Sequence, residues 1–583
     1  MYKSALLVLL LFACNRHQPA PEAVQGTVKL KDAETFLADW SRENSLVVLV
    51  SAEPKSLHPV SDGSDALRSE IFLYLHRKLL RSTGGMETEP DLLNAPPVPG
   101  PDPLTYSFQL KNDLRWDDGT PVTAADVLFT CKVNACPAVA NTPTVSYWNR
   151  VRSIETAPDD KRRFTINYRN QDLLNTFFLA GFPILERDFH DPEHVLDEYS
   201  FEQLIDTSIL KDRRVTEWAD RFNDGIYGHD PEHINGLGDY LLTDWSNREN
   251  ITLSRKTTAD PVQPEKIIYR FGSDETSTLL ELRRQTYDVS LNGSLQLFFK
   301  ASADEQIRNN YHCILSPTYN VTYCGFNERP DSSARPAYFI EKKVRHAFRM
   351  LMPLHEILQQ LFGTYVGSVR TTGSHMSPYR TECDTTLPAP KFDPVSAIRL
   401  LKEAGWTDHD KDGLLDRNGI VLSPQLTYVG GNADWNDIAT VITANFRKFG
   451  IDIRSDPCDP AIYRKRAMNH DFDLLLGTIG GNGSLEDYSQ WWSTASWQHR
   501  GNNYTGFGNQ STDLLIDSIN AASLLERRIK MSHRMQRIIH EDCPYVFLYN
   551  SVRRNIISRR WSELILFPER PGLYLNRMRL LPS

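Results

Sequence analysis

Three groupings in this chain set metal-ligating or catalytic side chains at spacings that could do chemistry. Asp408-His409-Asp410-Lys411-Asp412-Gly413 places carboxylates at alternate positions before a glycine, like the opening half of a calcium loop. Such a loop closes with a bidentate Glu, and Gly419 stands at that position. A solvated hairpin turn is therefore the favoured reading. His190-Asp191-Pro192-Glu193-His194 recurs as His229-Asp230-Pro231-Glu232-His233. Four imidazoles could hold a tetrahedral metal ion. The favoured alternative is a pair of helix starts, each Asp capping a helix whose first residue is Pro and whose first turn carries Glu. For hydrolysis the chain offers His355-Glu356-Ile357-Leu358-Gln359, which lacks the second His of a zinc-protease helix. It has no GxSxG turn for a serine nucleophile. No catalytic residue, resident metal or cofactor is assigned.

The eight cysteines divide by position. Cys14 follows Leu11-Phe12-Ala13 at the end of a leader with Lys3 near its start and an unbroken apolar run from Ala5 to Phe12. That run is too short to span a bilayer and reads as a processed signal over 1–13. Its ending resembles a bacterial lipoprotein signal, cleaved before a cysteine that then receives lipid. An ordinary secretory signal beside a chance cysteine is the alternative, and export is expected either way. Exported chains meet oxidising conditions, and the close pairs Cys131/Cys136 and Cys313/Cys324 are the expected disulfides. Cys383, Cys458 and Cys543 leave at least one thiol free. None of the cysteines lies in a CxxC, so no redox motif is indicated.

A net charge of −9 with no basic stripe gives nucleic-acid binding no electrostatic support. Apolar residues make up 40% of the chain, enough for a large core. No later apolar run approaches membrane-spanning length, so a soluble body of two to four structural domains is expected.

The elements that must position any site follow from periodicity. Leu46-Val47-Val48-Leu49-Val50 reads as a buried strand and Ala66 to Leu80 as a helix. Thr105 to Leu110 and Arg163 to Tyr168 alternate as half-buried strands, and Thr123 is placed to cap a helix. Lys342 to Phe362 is amphipathic but contains Pro353, which predicts two helices or one kinked helix. Pro394 to Ala404 reads as a helix closed by Gly405, and Ile438 to Phe449 as one ending at Gly450. Ile451-Asp452-Ile453 and Phe472 to Leu476 read as strands. Alternating helices and strands predict an α/β fold.

Several of these segments carry a family resemblance. Ala52-Glu53-Pro54-Lys55-Ser56-Leu57-His58-Pro59 is similar to the opening loop of the peptide/nickel class of extracellular solute-binding proteins, the receptors of ABC importers. Leu114-Arg115-Trp116-Asp117-Asp118-Gly119-Thr120-Pro121-Val122-Thr123-Ala124-Ala125-Asp126-Val127 resembles the family's most specific signature. Gly236-Leu237-Gly238-Asp239-Tyr240, Lys343 to Phe348, Lys391 to Trp406, Asp471 to Leu474 and Asp542 to Tyr549 follow in the family's order.

The resemblance implies a periplasmic-binding-protein type II fold: two lobes, a hinge and an inserted extra domain. It implies a tether over 14–40, domain I in three pieces (41–65, 191–325 and 549–583), domain II over 66–190 and domain III over 326–548. Hinge crossings are expected near Phe326 and Leu548. It further implies a lipid-anchored monomer on the periplasmic side of a bacterial membrane, with an ABC permease and a peptide or related small solute as partners; the alternatives are a receptor for an oligosaccharide or metal chelate, or a sensor that has lost transport. The expected ligand-binding residues are Glu53, Tyr319, Asn320, Trp435, Gly481, Asn482, Asp487 and Trp491. Two departures stand out. Peptide receptors of the family often carry an Asp just after the strand corresponding to Leu474–Thr478, whereas here Gly480 to Leu485 holds no acid. Val429 to Asn432 also lacks the Arg that receptors of free dipeptides tend to place there. Asp487 is the substitute partner for a ligand ammonium, or else a helix cap.

Overall fold

The computed structural model describes residues 22–23, 27–30, 44–60, 66–82, 88–139, 148, 150–171, 175, 181–272, 274–291, 293–330, 335–481, 483 and 485–581. Cys14, the leader and Asn482 lie outside them.

The chain enters on β1 (Ser45–Val50), a central strand with parallel neighbours on both sides. Leu46, Val47 and Val48 are all buried, which explains why the sequence runs apolar there instead of alternating. Helix α1 (Ala66–Leu75) packs on this strand through Ile71, Phe72 and Leu75 and ends before His76, five residues short of the predicted end. The chain then leaves for a separate four-stranded sheet that pairs Val98–Pro99, β2 (Thr105–Gln109), β3 (Val151–Thr156) and β4 (Arg163–Tyr168). Helix α2 (Ala124–Ala135) backs this sheet. Asp126 in its first turn accepts hydrogen bonds from Thr123 N (2.8 Å) and Thr123 Oγ1 (3.0 Å), fixing the helix start where the sequence placed it.

The first lobe resumes with β5 (Tyr240–Ser246), β6 (Asn250–Arg255) and β7 (Lys266–Phe271), followed by β8 (Val289–Ser290) and β9 (Tyr311–Phe326). The second lobe begins with α3 (Lys342–Leu351) and α4 (Leu354–Phe362), two helices separated at Met352-Pro353 as the proline predicts. Helix α5 (Pro394–Glu403) starts on its Asp393 cap and is followed by Gly405 at φ +84°. Next come β10 (Gln425–Val429), α6 (Ala433–Arg447), β11 (Arg454–Cys458), β12 (Leu474–Ile479) and α7 (Tyr488–Trp492). The last helix, α8 (Leu525–Asp542), leads into the return strand β13 (Tyr545–Ser558). The strand expected at Ile451–Ile453 sits three residues later, because Ile451 and Ile453 are used as core plugs ahead of it.

One eleven-stranded sheet joins both lobes; ten strands run in the order β5-β6-β7-β1-β8-β13-β9-β12-β10-β11, and the eleventh, Glu22–Ala23, pairs in parallel with Ile314–Leu315 of β9. Two long antiparallel strands carry it across. Tyr311–Pro317 of β9 pair with Val552–Ser558 of β13 in the first lobe, and Val321–Gly325 pair with Tyr545–Asn550 in the second. Between the two runs the register shifts at 318–320. The largest apolar core runs from the first lobe (Val47, Leu282, Phe298) into the second (Phe348, Ile442, Leu476); others lie within the first lobe, around α2 and its sheet, and beside Trp492 in the second lobe.

The expected disulfides are absent: Cys131, Cys136, Cys313 and Cys324 are all free thiols. Cys131 and Cys136 lie five residues apart along and just past α2, which turns them to different faces and into different cores. Cys313 and Cys324 occupy one extended strand, eleven residues and therefore on the order of 35 Å apart.

Candidate functional site: the cleft between the lobes

The register shift in β9 is the first piece of the site. It pushes Thr318–Asn320 out of the ladder, so their carbonyls need other partners. The Asn550 amide, on the facing strand, donates to Thr318 O (2.9 Å) and Asn320 O (2.8 Å), fastening the bulge from behind. The end of β12 lies against it. A Cβ on Gly481 would stand 3.0 Å from Tyr319 O, and Gly481 N donates to Asn320 Oδ1 at 3.3 Å.

Beyond Gly481 the chain is held by buried charge. Arg380 pairs with Glu486, and Arg528, with no exposure at all, pairs with Glu382 at 3.2 Å and donates to Glu486 O. Glu486 N in turn donates to Glu382 at 2.7 Å. Burial pushes the Glu382 carboxyl upward, and the Arg528 charge opposes that shift. These bonds fix Asp487, whose carboxylate accepts from Ser489 N and so caps α7. In α7, Trp492 is fully buried while Trp491 turns toward the cleft, as adjacent positions on a helix require.

The opposite wall is built around α1. Gly236 and Gly238 press on its end so closely that a Cβ on either would fall 2.2 Å from Leu75 O or 2.0 Å from Tyr74 O. This contact gives the Gly-Leu-Gly segment its physical reason and turns His76, Arg77 and Lys78 toward the cleft. His76 is buried with both ring nitrogens unpartnered, and burial pushes its imidazole down to about 3. Arg77 is paired with Asp91 at 2.7 Å. The chain's last forty residues return to the same wall and supply Glu569, Arg570, Tyr574 and Arg577.

Between the walls lies a cavity of about 990 Å³, near the upper end of ligand-site volumes. A hollow of similar size, about 960 Å³, touches only 328–345 and 507–542 of the second lobe. Of the expected ligand residues, Asn320, Gly481, Asp487 and Trp491 line the inter-lobe cavity. Tyr319 is buried beneath it with its carbonyl toward Gly481. Glu53 accepts a hydrogen bond from Trp245 Nε1 (2.6 Å), and Trp435 packs at a tilt against Tyr463; neither lines the cavity.

The metal groupings resolve separately. Asp230 caps Pro231–His233 as expected, but Asp191 caps the later turn Val195–Glu198, and Pro192 opens no helix. His190 is packed among Phe129, Phe189, Phe222 and Tyr227, while His229 stacks on Trp245. Among the described residues the four histidines form no ligand group. The Asp408, Asp410 and Asp412 carboxylates lie within 4.8 Å of one another on an exposed turn, where they accept backbone hydrogen bonds that shape the hairpin.

Residues 87–502 match the family described as bacterial extracellular solute-binding proteins, family 5. The chain belongs to this family. The oligopeptide-binding protein AppA of Bacillus subtilis is 23% identical over 455 residues, covering 76% of this chain and 75% of AppA. The haem-binding protein A of Haemophilus influenzae is 21% identical, covering 97% of this chain and 96% of its own length. The structure of Bacillus subtilis AppA in complex with a nonapeptide superposes with a TM-score of 0.73 at 19% identity, covering 92% of this chain and 99% of AppA. The two-lobed type II binding-protein fold, with its hinge and inserted domain, is thus that of a family 5 solute-binding protein. Family members are extracellular or periplasmic solute binders rather than enzymes. Among the described residues no helix is long and apolar enough to cross a membrane.

Proposed function

We propose that this chain is a lipid-anchored extracytoplasmic receptor that captures a peptide between its lobes and delivers it to an ABC importer. One observation carries the reading. The cavity is lined by Asn320 of the displaced 318–320 backbone and by Gly480 and Gly481 just past β12, facing a volume that both lobes enclose. Main-chain edges of this kind bind an extended peptide through its own backbone, so affinity does not depend on one side chain. Asn320 and Gly481 contact the ligand backbone, Trp491 stacks on a ligand group and Asp487 receives a cationic one. Cys14 carries the lipid, the receptor acts as a monomer outside the cytoplasmic membrane, and closure occurs where β9 and β13 cross between lobes. The name of AppA and its nonapeptide complex support the solute class.

A second reading, a metal chelate, draws on His76, a cavity-lining imidazole whose buried ring nitrogens have no hydrogen-bond partner. One experiment separates the two. The protein is purified from bacterial periplasm, weighed by native mass spectrometry and then denatured to identify what it releases. A ladder of peptides of preferred length is expected. A released chelate selects the second reading, and an empty protein that also ignores peptide mixtures overturns both.

A further inference from the structure

The charges lining the cavity are segregated by lobe. From the first lobe and its insertion come six cations and three carboxylates; from the second come two carboxylates and no cation. Some of these charges are already satisfied. Arg77 is held by Asp91, Arg81 by Glu89 outside the cavity, and Glu486 by Arg380 behind its wall. Lys78, Arg570 and Arg577 are different. None has a carboxylate within ion-pair distance among the described residues, although all three line the cavity. Arg577 lies over the Tyr574 ring, 4.9 Å from its centroid, which orients its guanidinium beside the site. Burial holds the Lys78 ammonium below its ordinary range, with Glu569 and Asp91 near enough to oppose the shift and Arg68 adding to it. Asp487, across the cleft, likewise has no cation partner among the described residues; its one fixed hydrogen bond is to Ser489 N.

Lys78 is half-buried and Arg570 and Arg577 are exposed at the open cleft; closing the lobes over cations that hold no ion pair would strip their water, a cost that a ligand counter-charge offsets. We propose that Lys78, Arg570 and Arg577 form a carboxylate subsite, so that the receptor selects acidic peptides bound across the cleft, their carboxylate end on the first lobe and their cationic end on Asp487. This rests on the peptide reading for the ligand's class, but the subsite has its own chemistry. Two sources could supply the carboxylate, an Asp or Glu side chain or the peptide's C-terminus. Lys78 and the two guanidiniums are complementary to either.

The test is calorimetric titration of the full receptor, stripped of ligand, with hexapeptides of equal length carrying acidic, neutral or basic residues, each with a free and an amidated C-terminus. Acidic peptides are expected to bind roughly tenfold tighter than neutral ones per added carboxylate, the scale of one charge-assisted hydrogen bond, and basic ones more weakly. The preference should shrink as salt rises. Persistence after amidation assigns the subsite to side chains, and loss on amidation assigns it to the C-terminus. Lys78→Met with Arg570→Gln and Arg577→Gln should abolish the preference, and Arg570→Lys with Arg577→Lys should retain it if the parent Lys78 is kept. Citrate provides a probe independent of peptides: it should raise the Tm of the parent and not of the neutralised variant. Peptides that bind without regard to charge overturn the subsite and leave the peptide reading standing. Citrate stabilisation through these three residues with no peptide binding does the reverse. Silence with both probes overturns both.

Discussion

Two buried residues show how much individual side chains decide. Burial pushes the His190 imidazole down to about 3 from 6.5, with the neighbouring His58 and His76 acting in the same direction. The folded chain therefore refuses a proton that the unfolded chain accepts below about pH 6.5. Stability from this group is complete above pH 6.5 and drains as pH falls toward 3, at about 1.4 kcal/mol per pH unit. His190→Phe keeps the aromatic packing and removes the titration. Urea unfolding should give matched stabilities at pH 8 and place the variant ahead by about 2 kcal/mol at pH 5; a pH-independent gap would contradict this account. Arg528 makes the opposite case. Arg528→Met leaves buried Glu382 with only the more distant Arg380, 3.9 Å away, and breaking a buried pair costs up to about 3–5 kcal/mol. Because Arg528 also holds Glu486 O, the variant should lose ligand affinity even where it is still folded, a loss read by titration at a temperature well below its Tm.

At the scale of elements, the bulge at 318–320 is the part of the site most exposed to test. Asn550→Leu removes the donor shared by Thr318 O and Asn320 O. Thr318 O keeps Ser377 Oγ at 3.1 Å, but Asn320 O loses its donor, which should cost about 1–3 kcal/mol in unfolding free energy, and crystals should show the bulge displaced. A variant with parent stability and parent affinity would remove Asn550 from the site. This is also where sequence reading ends. Strands such as β1 and β4 are legible because side-chain period reports burial, and α3, α4 and α5 are legible because proline and glycine act within a residue or two of their position. Asn320, Gly481, Asp487 and Trp491 were within reach because they sit next to recognisable segments. Lys78 was not: a basic residue after a helix reads as ordinary dipole compensation. Arg570 and Arg577 lie nearly five hundred residues further on, past the last recognisable motif, and only the fold brings them to the same wall. Asn550 belongs to a strand buried along nearly its whole length, and nothing local marks an amide that will serve two displaced carbonyls. The disulfide expectation failed for a related reason, since closeness in sequence along one straight element means separation in space.

At the scale of the whole molecule, the lobes are tied at the crossing strands. Arg554 of β13 pairs with Asp434 in the first turn of α6, joining the first lobe's half of the return strand to a second-lobe helix. Asp434→Asn should loosen this tie. Small-angle scattering of the unliganded variant should report a larger radius of gyration than the parent, with the difference lost at saturating ligand; identical profiles would show that the pair does not restrain the lobes.

The strand β13 has one more consequence, in the order in which the molecule can be made. The first lobe's β8 and half of β9 wait for Ile556 and Ile557, more than two hundred residues downstream, and Asp288 waits for Arg560. The second lobe's half of β9 is likewise incomplete on one side until Tyr545–Asn550 arrive. Neither lobe can finish during synthesis, so the high sequence separation of these contacts makes folding a late and slow event. A chain of this design emerges from the ribosome without its native tertiary structure, the condition in which it can still be threaded through a narrow translocation pore.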